Sequence, residues 1–196
     1  MAAPPEPAAL TEAQLAALRT AKIRRRKIAR AIGVARVSGW VTAMFAAMTL
    51  AWALGAWTLG TPDWQALAIG CGMVLVTCGE FMGAGRVRRY DPRGAIVLGC
   101  NQLFFGALLI GYAAWGALAS LQSPASSELA ELDPELAAEI GALTTSIMLL
   151  IYAGVALGGA LGCGLASLYY FTRARHIRRF RAETPDWVIQ TLRAAA

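Results

Sequence analysis

Residues 37–59 read VSGWVTAMFAAMTLAWALGAWTL, with no charged side chain anywhere in the run. At about 1.5 Å per helical residue, a run of this length crosses a hydrocarbon core roughly 30 Å thick. The rest of the chain repeats the pattern. Apolar runs follow at 64–85, 94–118 and 142–171, and Glu80 is the only acid or base inside any of the four. A soluble helix of similar length alternates polar and apolar faces, because one side meets water. These runs do not, so hydrocarbon is the solvent that suits them.

Composition agrees. The hydrophobic share is 57% and the charged share only 15%, against about 25% charged in soluble domains. The mean hydropathy is +0.51. The sequence therefore predicts an all-α integral membrane protein, a four-transmembrane-helix bundle. A basic amphipathic helix precedes the bundle and a short interfacial helix follows it.

Residues 1–36 form the first segment. Its Pro- and Ala-rich start, Met1 to Leu10, is expected to lack order. Thr11 has the chemistry of a helix N-cap, with Gln14 as its capping-box partner. A helix is expected from Glu12 towards Arg36, with Leu15, Leu18 and Ile23 as an apolar stripe beside dense positive charge, a composition suited to the membrane interface. The membrane domain is 37–171, with spans at about 37–59, 64–85, 94–118 and 142–171. Its long connection, 119–141, holds Glu128, Glu131, Asp133, Glu135 and Glu139 and no base. Ser127 and Asp133 are plausible helix starts there. Residues 172–196 form a basic tail. Its Thr184-Pro185-Asp186-Trp187 repeats the tetrapeptide at 61–64, helix-start chemistry used twice. Trp187, Val188 and Leu192 are expected to lie on the membrane surface.

Charge fixes the orientation. Every Lys and Arg lies in the N-terminal segment, at 86–93 or in the tail, and the loops at Asp63 and 119–141 have none. Short loops rich in Lys and Arg stay in the cytoplasm. Four spans put all three basic segments on that one side of a cell membrane, together with both termini. Trp57, Trp64 and Trp115 then mark the outer boundary, and Trp40, Tyr90, Tyr169 and Tyr170 the inner one, as an aromatic belt requires.

Two stripes of small residues suit close helix packing. Span one has Gly39, Ala43, Ala47, Ala51 and Gly55 beside a bulky ridge of Trp40, Met44, Met48 and Trp52. Span four has Gly154, Gly158 and Gly162. Intramolecular packing is the expected use of both.

An ionisable residue in hydrocarbon costs several kcal/mol and is a functional candidate by default. Glu80 lies five residues before the end of span two, and Asn101 lies seven residues into span three. Both therefore sit on the order of 8–10 Å inside the inner boundary. Glu80, Asn101 and Gln102 form a candidate intramembrane polar cluster. One reading is a hydrogen-bonded clasp between spans two and three; the other is a proton- or cation-binding site reached from the cytoplasm. The basic blocks set topology, and Arg24, Arg25, Arg26, Arg88, Arg89, Arg178 and Arg179 are the candidates for anionic lipid headgroups.

No nucleotide loop, HExxH, GxSxG or paired-carboxylate arrangement occurs. Cys71, Cys78, Cys100 and Cys163 lie inside apolar runs without metal-site spacing, and His176 has no companion ligands. No metal, cofactor or nucleic-acid partner is expected. The expected function is that of a non-enzymatic scaffold or accessory subunit. Its partners would be the bilayer, including anionic lipids, and another protein or a second copy of the chain. The alternative is a small transporter or channel using Glu80; an enzyme acting on lipid is a distant third. Single cysteines at the tail and in 86–93, in a background without native cysteines, are predicted to react with an impermeant thiol reagent from the same face of sealed vesicles. Labelling from opposite faces contradicts the topology.

Overall fold

Thr11 opens the first helix with a full capping box. Its hydroxyl accepts from the Gln14 amide at 3.3 Å, and the Gln14 side chain accepts from the Thr11 amide at 2.9 Å. From there the computed structural model, which describes residues 11–122 and 134–194, is built of helices, with no strand among those residues. α1 runs Glu12–Thr58, α2 Trp64–Arg88 and α3 Pro92–Gln122. α4 is Pro134–Gly158; a single π turn at Gly159–Cys163 joins it to α5, Gly164–Glu183, and α6 is Asp186–Ala194. Four helical stretches are long and apolar enough to cross a membrane: α1, α2, α3 and the joined stretch Glu135–Glu183. The expected helix starts at Ser127 and Asp133, and the expectation for Met1 to Leu10, fall outside the described residues.

Helix lengths exceed the predicted spans at one end. α1 has 47 residues, on the order of 70 Å, about twice what a hydrocarbon core needs. The basic segment and the first span are therefore one helix without a break. The early part of α1 does not rely on Leu15 and Ile23 for its apolar contact, since both are exposed. Ala21, Ile28, Ala31 and Ala35 are its buried side chains, and Leu18 packs against the same cluster. What covers this face is protein. Ile177 and Phe180 of α5 and Val188, Ile189 and Leu192 of α6 join Ala21, Ile28 and Ala35 in one apolar core at the basic end. Val188 and Leu192, expected on the membrane surface, thus face inward, and Trp187 alone of that trio is exposed.

The turn after α2 closes this core. The Tyr90 amide donates to the Val87 carbonyl at 2.9 Å and the Asp91 amide to the Arg86 carbonyl at 3.1 Å, the pair of bonds that ends a helix around a left-handed residue. Tyr90 occupies that position, with φ of 57°, where glycine is usual. Its ring is 2% exposed and stacks, tilted, 5.2 Å from Phe180. Burial of the ring offsets the backbone strain of about 1–2 kcal/mol. Burial also pushes the phenol above its ordinary pKa, while Arg25 and Arg193 act to lower it.

At the other end Gly60 takes φ of 77° in the turn. Asp63, rather than Thr61, caps α2, accepting from the Ala66 amide at 2.8 Å; the Thr61 hydroxyl donates back to the Ala56 carbonyl. Trp57 and Trp64 meet edge to face across the turn at 4.9 Å.

Only part of the two small-residue stripes is used for packing. Along α1 into span one the buried positions are Ala35, Gly39, Thr42, Ala46 and Ala53, steps of four, three, four and seven that stay on one face. A strict step of four drifts about 40° per residue counted. Gly39 therefore packs, Ala43 is half-buried, and Ala47, Ala51 and Gly55 turn outward. Bulky Trp40, Met44, Met48 and Trp52 are exposed beside them. In the fourth stretch Gly154, Gly158 and Gly162 have open space where a Cβ would stand, and Gly159 is the close approach, 3.1 Å from the Leu109 Cβ. These outward residues are intramolecular packing positions no longer. The outer part of the fourth stretch packs on α3, where Tyr112 meets Tyr152 at 6.0 Å.

Gly39 and Gly55 make a clean test. A Cβ at 39 stands 3.2 Å from the Glu80 Cβ and 3.3 Å from the Phe81 ring, whereas one at 55 meets nothing within 4 Å. Gly39→Leu is expected to cost about 1–3 kcal/mol by overpacking and Gly55→Leu to stay within about 0.5 kcal/mol, read by thermal unfolding in detergent. Equal effects contradict the packing face.

Candidate functional site

Glu80 sits on α2 where three helices crowd. Gly39 brings α1 against its Cβ, and Gly79 brings α3 against its neighbour, since a methyl at 79 would overlap the Asn101 amide. The result is complete removal from solvent. Glu80 is 0% exposed and Gln102 6%.

The structure brings the three candidate polar residues together. Gln102 Nε2 donates to Glu80 Oε1. Asn101 Nδ2 donates to the Val76 carbonyl at 2.9 Å and reaches the same Glu80 Oε1 at 3.5 Å. One carboxyl oxygen thus collects the amide donors of both α3 residues. The other, Oε2, is buried and has no hydrogen-bond partner. Ser38 of α1 lies beside the carboxyl group without filling that vacancy in the hydrogen-bond pattern.

The fourth helix contributes two groups that sequence reading missed. Ser167 and Tyr170 of α5 are 2% and 1% exposed, and each hydroxyl lacks a hydrogen-bond partner. Tyr170, and Cys163 two turns earlier, stand close enough to Glu80 to feel a charge placed there. The signal was present. Cys163, Ser167, Tyr170 and Ala174 recur at helical spacing on one face, and Ser167 lies four residues before the end of its span, close to the depth of Glu80 in its own. The polar layer therefore involves all four apolar stretches. Chemically it holds one carboxyl group, two side-chain amides and three hydroxyls. That is a set able to exchange protons or ligate a small cation, and equally a set able to tie helices together. Among the described residues no group of three His, Cys, Asp or Glu is placed to hold a metal ion.

The arginine candidates divide. Arg24 pairs with Glu183, whose other oxygen is 3.6 Å from Arg179 Nε; both cations are engaged within the chain. Arg26 and Arg178 are exposed, Arg25 is half-buried beside Tyr90, and Arg88 and Arg89 are exposed at the end of α2. At the opposite end of the bundle an apolar cleft of about 750 Å³ opens among α1, α2, α3 and α4, with Trp52, Met73 and Tyr112 in its wall and Asp63 at its rim. No spacing in the sequence marks it, because its lining residues come from four separate runs.

Comparison with protein-family models, with curated proteins and with solved structures finds no match to this chain.

Proposed function

We propose that this chain is a small multi-pass membrane protein without catalytic activity, a scaffold or accessory subunit of the cell membrane. In this reading both termini and the 86–93 turn lie in the cytoplasm. The observation that carries it is the state of Glu80, the one ionisable group within the apolar stretches. It is fully buried and held by Gln102 and Asn101, which is how a membrane bundle uses a polar group as interhelical glue. A buried hydrogen bond to a charged group is worth about 1.5–3 kcal/mol, enough to fix which helices pair. Long helices that end in a common protein core at the basic end also suit a rigid platform better than a moving gate.

One observation favours a second reading. Glu80 Oε2, Ser167 Oγ and Tyr170 Oη are all buried without partners, and a buried carboxyl oxygen left without a donor is a fitting place for a proton or a small cation. In that reading the chain is a transporter or channel and Glu80 its coupling residue.

The two readings part on Glu80→Gln in proteoliposomes. The structural reading expects the variant to stay folded, with a lowered melting temperature, and expects wild-type and variant vesicles to pass protons and sodium no faster than empty ones. A wild-type flux abolished by Glu80→Gln at unchanged melting temperature would overturn it.

A further inference from the structure

The basic end holds a second polar feature, built where four arginines meet. Arg36 of α1, Arg88 and Arg89 at the end of α2, and Arg193 of α6 line one cavity of about 350 Å³, with Gly85 the other described residue in its wall. No carboxylate is among the described residues that line it. The acids nearby are committed elsewhere: Glu183 serves Arg24 and Arg179, and Asp91 accepts from the Arg93 amide at 3.0 Å.

The cavity is assembled by packing rather than by chance proximity of long side chains. Ala35, fully buried, fixes the turn of α1 that carries Arg36. Val87 and Tyr90, both buried, bracket Arg88 and Arg89. α6 is anchored by Val188, Ile189 and Leu192, and Arg193 Nη2 then donates to the Arg89 carbonyl at 2.8 Å. That bond uses one of the five guanidinium donors and holds the rest over the end of α2. Gly85 leaves its side of the cavity bare, with nothing within 4 Å of where a Cβ would stand. Arg88 already has a partner of its own; the guanidinium groups of Arg36, Arg89 and Arg193 gathered beside it repel one another, and an anion relieves the repulsion. Planar forks match phosphate oxygens two at a time.

We propose that this cavity is a binding site for a phosphoryl group. Its position names the source to expect. Arg36 precedes the first apolar run and Gly85 ends the second, so the cavity stands at headgroup depth on the basic side of a bilayer. An anionic phospholipid headgroup is the natural occupant, and a free phosphate compound offers the same chemistry. The volume falls near the low end of the range for small-molecule sites, roughly 300–1,000 Å³. The lipid source rests on the membrane reading above; the phosphoryl site does not.

The test uses the full chain purified in neutral detergent, titrated with dioleoyl phosphatidic acid, with dioleoyl phosphatidylcholine, and separately with inorganic phosphate. Binding to the native state raises the melting temperature. Phosphatidic acid is expected to raise it saturably and phosphatidylcholine not at all. Arg36→Gln should weaken the apparent affinity at least tenfold, and the Arg36→Gln, Arg193→Gln pair more. The Arg19→Gln, Arg181→Gln pair, which removes equal charge from exposed positions outside the cavity, should change it less than threefold. Arg36→Gln alone keeps the α6 anchor, so its result stands even where the double variant unfolds. Equal losses in the cavity and control variants would overturn the proposal, as would no stabilisation by any phosphate. Saturation by inorganic phosphate with the same Arg36 dependence would support the site and assign it a soluble occupant. Release of the protein from membranes by alkaline carbonate would sink the membrane reading while leaving the phosphate result to stand.

Discussion

A carboxyl group with no solvent is the constraint around which the inner half of this bundle is arranged. Glu80 is fully enclosed, and an enclosed carboxyl needs hydrogen-bond partners or costs several kcal/mol. Two amides of α3 supply them. To let them in, the backbone of α2 is glycine beside Asn101 and the backbone of α1 is glycine beside Glu80. The helix pairing α1–α2–α3 follows from these approaches, and α5 closes the layer with Ser167 and Tyr170. A polar group thus decides which apolar helices touch, a choice that hydrocarbon, equally good against every leucine, leaves open.

The two ends of the bundle are built differently. At the basic end α1, α5 and α6 extend past the apolar stretches and share a core with the Tyr90 turn. The arginines there are consequently held on a framed surface and not on a loose tail. At the other end no residue in the most apolar stretch of the fourth helix is fully buried, and a cleft opens between the helices. A cored basic end joined to an opposite end that opens into a cleft is the character of the fold.

Much of this was legible in the sequence. Four apolar runs, the Thr11 capping box and the pairing of Glu80 with Asn101 and Gln102 all depend on local spacing or on depth, which counting residues gives. The face used for packing was not, because steps of four and alternating steps of three and four start at the same Gly39 and part only after two turns. Nor was the role of α6. An apolar face of Val188, Ile189 and Leu192 reads identically whether lipid or Phe180 covers it, and only the three-dimensional path of α5 decides. Ser167 and Tyr170 were hidden for a related reason: a serine or tyrosine near a span end is common, and its meaning depends on what stands opposite. The arginine cavity draws Arg36 and Arg193 from opposite ends of the chain, where no spacing rule links them.

The central claim is that Glu80 and Gln102 hold α2 and α3 together through their direct bond. A double-mutant cycle on Glu80→Leu and Gln102→Leu, measured by reversible unfolding in bilayer-like bicelles, isolates that bond from the loss of each side chain alone. The account predicts that the two single variants are each destabilised and that the pair is less destabilised than their sum, by about 1 kcal/mol or more. Additivity within about 0.3 kcal/mol would show two independent side chains and contradict the clasp.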